Sequence, residues 1–320
     1  MNDLRREIPG IHHITAIAGD PRENVEFYTG VLGLRMVKMT VNFDDPSAYH
    51  LYFGDELGRP GTALTFFSWP GARRGRRGAG QAVACSFSVP DDSLGYWVER
   101  LGSRGIRIEG RGLRFEEEYI SFSDHDGLAL ELVAHNGAKE KPGWDKGSVP
   151  AEMAIRGFHS VTLSARNHEP TANFLIGTMG FRASGDSGNL FRFQTGAGDT
   201  ASNIYIRREP DNLPGLVAVG TIHHVAWRTP NDEEQAAWRG ALAQKGANVT
   251  QIVDRLYFRS IYFREPGGVL FEIATDTPGF TVDEAPELLG TSLKLPPWME
   301  QNRPVIEHGL PPIELKKAYR

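Results

Sequence analysis

Among 320 residues there is one cysteine, Cys85. No intramolecular disulfide framework can therefore hold the fold, and this usage suits a reducing cytosol. Long apolar runs are missing too: no stretch approaches the ~18 residues of a membrane span. The opening MNDLRREIPG carries charge where a secretory signal would carry an apolar segment. Positive charge is not in excess, since 35 Lys and Arg face 40 Asp and Glu for a net charge of −5. That balance removes the global electrostatic argument for a nucleic acid or an anionic membrane as partner. The one basic run, GARRGRRGAG (71–80), is Gly-rich and is expected to be a solvated loop. An apolar content of 40% is ordinary for a globular protein, and the length suffices for two domains. The expectation is a cytoplasmic protein that engages neither nucleic acid nor membrane.

What the chain does have is histidine in unusual places. GIHHITAI (10–17) sets His12 and His13 side by side in an apolar run, and GTIHHVAW (220–227) does the same with His223 and His224. These four are drawn from ten histidines in all.

The surroundings repeat as well. After the first pair, DPRENVEFYTGVLGLRMV (20–37) reads as an N-capped amphipathic helix closed by a glycine, then a strand. The same pattern recurs at 90–108, 167–183 and 229–249, closing on Gly105, Gly180 and Gly246. Gly33 lies 20 residues after His13, Gly180 lies 21 after His159 and Gly246 lies 22 after His224. Counting back 21 from Gly105 lands on Ala84. Short aromatic and β-branched runs follow each helix, and sliding 117–134 onto 258–274 superimposes Gly127 on Gly268 and Glu131 on Glu272. The chain is therefore predicted as α+β, four βαβββ modules forming two open barrels. Residues 1–140 would hold two modules, 154–280 two more after a Gly/Lys/Pro-rich linker, and 281–320 a Pro-rich arm.

Neighbours in a strand point to opposite faces, so one histidine of each pair can face a shared cavity while the other sits behind it. Spacing alone leaves open whether that is His13 with His224 or His12 with His223. Glu272, inside VLFEIA, is an odd carboxylate, because burying an unpaired anion costs several kcal/mol. Two imidazoles and one carboxylate would leave three positions open on an octahedral ion, the facial triad of non-haem Fe(II) oxygenases. His159 stands alone and is expected to be a hydrogen-bonded core residue. Glu131 has Ala84 where its module would need a ligand, so one metal per chain is expected.

The four modules, HHIT, HHVAW and YFREPGGVLFEIATD together resemble the vicinal oxygen chelate (glyoxalase/bleomycin-resistance) superfamily. Within it they are most similar to the ring-cleaving hydroquinone and chlorohydroquinone 1,2-dioxygenases, over roughly residues 8–313. The resemblance implies an extradiol-type enzyme with Fe(II), or Mn(II), held by His13, His224 and Glu272. Modules one and four would form the metal-bearing barrel, and modules two and three an empty one. It places His12, Thr15, His223, Arg255 and Tyr262 beside the ligands or the substrate. A small aromatic diol and dioxygen would be the partners, with the para-diol favoured by the resemblance alone, and a homo-oligomer is expected. Two rivals remain on the same fold. A glyoxalase-type lyase or isomerase would need a second ligating carboxylate near Thr65 and Phe66, where none stands. A metal-free binding or resistance protein would have no use for both histidine pairs and Glu272.

Overall fold

The predicted repeat determines the architecture. The computed structural model describes residues 7–196 and 201–313, so both extreme ends of the chain lie outside it. Module one consists of β1 (Ile11–Ala18), α1 (Pro21–Val25), β2 (Arg35–Asn42), β3 (Asp45–Gly54) and β4 (Ala63–Ser68). Module two has β5 (Gln81–Val89), α2 (Leu94–Ser103), β6 (Gly110–Arg114), β7 (Glu117–Ser123) and β8 (Ala129–Ala134). Module three has β9 (Phe158–Ala165), α3 (Glu169–Gly177), β10 (Arg182–Ser187), β11 (Leu190–Gln194) and β12 (Asn203–Arg208). Module four has β13 (Ile222–Thr229), α4 (Asp232–Gln244), β14 (Val253–Asp254), β15 (Arg259–Arg264) and β16 (Leu270–Thr275).

Local chemistry accounts for the helix boundaries. Asp20 accepts from the Arg22 amide and Asn231 from the Glu234 amide, each satisfying a free donor of a helix's first turn. The four closing glycines have φ between +70° and +82°, the left-handed conformation that ends a helix without a Cβ clash. In the first helix α1 passes into a π-helical turn, Glu26–Val31, before Gly33.

The modules pair across the halves of the chain. One eight-stranded sheet runs β14-β15-β16-β13-β1-β4-β3-β2, and the other runs β10-β11-β12-β9-β5-β8-β7-β6. Modules one and four thus share a curled sheet seamed by antiparallel β1 and β13, and modules two and three share the second, seamed by β5 and β9. β1, β5 and β9 are buried along their whole length, so the core lies between and behind these seams. The segments 1–140, 154–280 and 281–320 stand as a proposed division of the sequence.

The arginines of the basic run are exposed, as expected, but its backbone is tied down: Arg74, Arg76 and Ala79 form bridges with Val219, Leu216 and Pro214, and Arg74 caps carbonyls of His125 and Asp126. Its glycines permit that approach, since a Cβ at Gly78 would stand 2.3 Å from the Leu213 carbonyl oxygen. The Pro-rich arm packs on the rest of the protein. It contains a short helix, α5 (Arg303–Gly309), bridges Met39 through Leu293, and buries Leu289 and Leu295. Lys38, buried on β2, reaches the carboxylates of Asp283 and Glu284 in the arm. Among the described residues no helix is long and apolar enough to cross a membrane.

Candidate metal centre

The seam of the first sheet carries the histidine pairs. Register along β1 and β13 pairs Ile11 with Trp227 and then His13 with Ala226, leaving His12 as an extra residue. Further along, Thr15 pairs with His224 and Ala16 with Ile222, leaving His223 extra on the opposite strand. Each pair therefore sits on a β-bulge, which re-aims a side chain that strict alternation would turn away. His12 sits behind His13 and off the cavity, as expected, whereas His223 lines the cavity with His224, and within each pair the rings meet Nδ1 to Nδ1, at 2.9 Å for His12–His13 and 2.8 Å for His223–His224.

Glu272 enters from β16, whose register sets it beside Ala226 and opposite Tyr262 of β15. His224 Nε2 lies 2.9 Å from Glu272 Oε2, His13 Nε2 lies 3.4 Å from it, and the two Nε2 atoms are 3.4 Å apart. All three side chains are buried, Glu272 completely. Ser260 Oγ donates to Oε1, whereas the buried Oε2 has no hydrogen-bond partner. Among the described residues this is the one group of three or more His, Cys, Asp or Glu whose ligand atoms all lie within 4.8 Å of one another. Donors at right angles around an ion ~2.1 Å away stand ~3.0 Å apart. A triangle of 2.9, 3.4 and 3.4 Å about an orphaned carboxylate oxygen fits one face of such a coordination sphere.

Hydrogen bonding also sets the tautomers for that role. His12 Nε2–H donates to the Thr275 carbonyl at 3.1 Å, so its Nδ1 is the acceptor for His13 Nδ1–H. His13 then presents a bare Nε2 toward Glu272, as a ligand must. For His224 to present a bare Nε2 as a ligand, its Nδ1–H must donate to His223 Nδ1, which would leave His223 an Nε2–H on the cavity it lines. Burial, then the adjacent imidazole, pushes His12 and His223 down to about 3, so both stay neutral acceptors at neutral pH. Burial alone would raise the Glu272 carboxyl; in the place of an ion, protonated His13 and His224 rings would outweigh it and hold it well below the usual carboxylate range.

The triad opens on a cavity of about 280 Å³ with aromatic walls. Phe258 lies 4.9 Å from the His13 ring, and Phe67 packs on His50 and His223. Arg255 donates to the Tyr262 hydroxyl at 3.2 Å and pairs with Asp44 at 2.9 Å. Every residue expected at the site is thus brought together: His12 behind His13, His223 and Tyr262 on the cavity, and Thr15 beside the imidazoles. His50 and Tyr52 were not anticipated, whereas Thr65 was expected near the place of a second carboxylate. Thr65 pairs with Thr15 as Glu272 pairs with Ala226, so it occupies the position related to Glu272 by the internal repeat.

The second sheet makes the comparison internal. Glu131 pairs with Ser86 as Glu272 pairs with Ala226, which sets Ala84 and Ser160 at the places of His224 and His13. Arg114 forks onto both carboxylate oxygens at 2.8 Å each, and Ser86 donates a third hydrogen bond. A guanidinium satisfies this acid where Glu272 is left with an orphan oxygen. His159 falls on the bulge, at the place of His12 and not of His13 as the counting from Gly180 suggested. It is buried, hydrogen-bonds Ser160 through Nδ1, and has its Nε2 3.1 Å from a Glu117 carboxylate oxygen.

Compared with known proteins, residues 10–132 and 157–273 match the glyoxalase/bleomycin resistance protein/dioxygenase superfamily. The chain is similar to a candidate ring-cleaving dioxygenase, MhqO, of Bacillus subtilis (strain 168), at 45% identity over 98% of this chain and 99% of that one. It is also similar to the chlorohydroquinone/hydroquinone 1,2-dioxygenase of Sphingobium indicum (strain UT26S), at 38% identity over 94% and 95%. The crystal structure of a candidate dioxygenase from Bacillus subtilis superposes with a TM-score of 0.92 at 45% identity, covering 97% and 99% of the two chains.

Proposed function

Because the chain belongs to the glyoxalase/bleomycin resistance protein/dioxygenase superfamily, we propose that it is an Fe(II)-dependent ring-cleaving dioxygenase of the extradiol type. Its substrate would be a hydroquinone-type or other dihydroxylated aromatic. The observation that carries this reading is the three-donor face of His13, His224 and Glu272 opening on an aromatic-walled cavity. A cavity of ~150 Å³ accepts benzene, so about 280 Å³ has room for one substituted ring. A cytoplasmic location belongs to the same reading.

The donor set suits Fe(II), with Mn(II) as the alternative ion. When bound, the ion supplies a positive charge that favours the phenolate form of a hydroxyl and open positions for dioxygen. The chain's own groups do the rest. Phe258 and Phe67 wall the ring in, and their bulk excludes water. His223 offers its Nε2–H to an oxygen in the cavity, and Tyr262 offers a hydroxyl that burial keeps protonated. Arg255 remains cationic and can hold a substrate anion or the carboxylate of a ring-opened product. His12 acts through His13 by fixing its tautomer. The glyoxalase-type alternative is disfavoured by Thr65, a hydroxyl where a fourth ligating carboxylate would have to stand.

The test is anaerobic loading with Fe(II), metal analysis, and oxygen uptake with para- and ortho-diols. One iron per chain and uptake matched to diol consumed is the expected result. Zinc or nickel without uptake would turn the reading to a lyase or isomerase, and a protein that holds no metal would turn it to a binding module.

A further inference from the structure

The cavity of the first sheet has a counterpart in the second. A hollow of about 220 Å³ opens there on Ala84, Glu131 and Ser121. These hold the places of His224, Glu272 and Tyr262, since Ala84 pairs with Thr162 as His224 pairs with Thr15, and Ser121 with Glu131 as Tyr262 with Glu272. The match continues along β12. Arg207 pairs with Ser164, two residues beyond Thr162, as Phe67 pairs with Ile17, two beyond Thr15. Glu209 then takes the place of Trp69, the amide of each donating to the end of the neighbouring strand, at Ala165 and Ala18. Both members of each couple line their own cavity. Where the first hollow has aromatic rings, the second has charge.

These charges do not answer one another. Arg207 is half-buried, and its guanidinium makes no hydrogen bond or salt bridge among the described residues. The Glu131 carboxylate, whose charge it feels, is already taken by Arg114 and Ser86. Glu209 is oriented in advance: Ser164 Oγ donates to its Oε2 at 2.5 Å and Asn212 Nδ2 at 3.2 Å, while Oε1 has no hydrogen bond among the described residues. Two residues apart at ~3.3 Å each, the cation and the anion stand ~7 Å from each other along the chain. At the exposed rim Arg77 and Glu109 repeat the two signs. A few fixed polar groups around a concave, partly apolar surface are what orients a small ligand.

We infer that the hollow of the second sheet binds a small zwitterion, an aliphatic α-amino acid, with its carboxylate on Arg207 and its ammonium on Glu209. A guanidinium meets a carboxylate through two parallel N–H donors, and Glu209 Oε1 is an acceptor for an ammonium hydrogen. A ligand of one sign would leave the other group unanswered in a partly desolvated place. Val83, Ala84 and Ala129 offer an apolar floor for the side chain. Since ~150 Å³ accepts the six atoms of benzene, 220 Å³ has room for about nine heavy atoms, the size of leucine. No ion is required, because Ala84 and Ser160 stand at the places of the histidine ligands. The inference is independent of the oxygenase reading.

Calorimetric titration of the metal-free full chain with L-alanine, L-valine and L-leucine tests it. At least one should bind at one site per chain with a Kd of about 1 mM or tighter. Acetate and isobutylamine, which carry one sign each, should bind at least about tenfold more weakly. Arg207→Met and Glu209→Gln change half-buried side chains, so each should keep the Tm of the ligand-free protein and weaken amino-acid binding by at least about tenfold. If one of them fails to fold, the other decides. His224→Ala should bind the amino acid as the wild type does, which separates this hollow from the metal centre. No binding of any of the three up to about 20 mM would overturn the site. Acetate or isobutylamine binding as tightly as the amino acid would overturn the zwitterion, and unchanged affinity in a folded Arg207→Met protein would overturn the location.

Discussion

At the residue scale, a tandem histidine divides one task between two rings. The inner ring offers a lone pair, and the outer ring determines which nitrogen carries it. Replacing His13, His224 or Glu272 by Ala should abolish metal retention and activity together while the protein stays folded. The stabilisation that metal gives the wild type should vanish with it, read as Tm with and without Fe(II). His12→Ala and His223→Ala should keep the metal, though weakened, because partners of this kind alter affinity or activity ~10–100-fold. The two should differ. His12 touches only protein, so its loss should fall on metal affinity, whereas His223 lines the cavity and its loss should fall on turnover. Metal titration beside steady-state oxygen uptake distinguishes them, and metal-free variants of both would make the outer rings ligands. The inner residues were legible because the repeat places them twice. His50 and Tyr52 were not, because Tyr52 precedes Thr65 by 13 residues where Tyr262 precedes Glu272 by 10. The longer connection between β3 and β4 conceals the correspondence that the register reveals.

At the element scale, the same hairpin is used in two ways. Arg255 and Arg114 each lie 17 residues before the repeat-related acid, yet Arg255 turns to Tyr262 and Asp44 while Arg114 forks onto Glu131. Burial would raise the Glu131 carboxyl, but the fork outweighs it and holds the group below its ordinary 4.5. Its contribution to stability is therefore complete above about pH 4.5 and is lost as pH falls through the lower folded value. Arg114→Met strands a buried anion and should cost about 3–5 kcal/mol at neutral pH. In the metal-free protein it should also cost less on acidification, as Glu131 protonates. Urea unfolding of wild type and variant at pH 7 and pH 4 measures both, and an unchanged gap between the two pH values would contradict the assignment. Iron stoichiometry should stay at one per chain. The helices and hairpins could be read from periodicity and their closing glycines. The bulges could not, because they depend on register between strands some two hundred residues apart.

At the scale of the whole molecule, closing the first sheet requires both ends of the chain. The two inter-module connections, 73–79 and 213–219, cross with their backbones in contact and tie one sheet to the other. Gly78→Ala should force that crossing apart and lower stability by about 1–3 kcal/mol, seen as a lower urea midpoint with metal stoichiometry intact. An unchanged midpoint would mean that the seam yields freely. The basic run gave no sign of this, because a close approach between backbones leaves its mark only as glycine. The pairing of β1 with β13 also has a temporal side. A ribosome releases His13 early, but its companions His224 and Glu272 follow more than two hundred residues later. The earliest strand must wait with one edge unsatisfied, exposed to mispairing with other chains. No translation product that stops before Glu272 carries the full ligand set, so a chain arrested or clipped ahead of that residue should be catalytically silent, and metal capture reports that the fourth module has arrived.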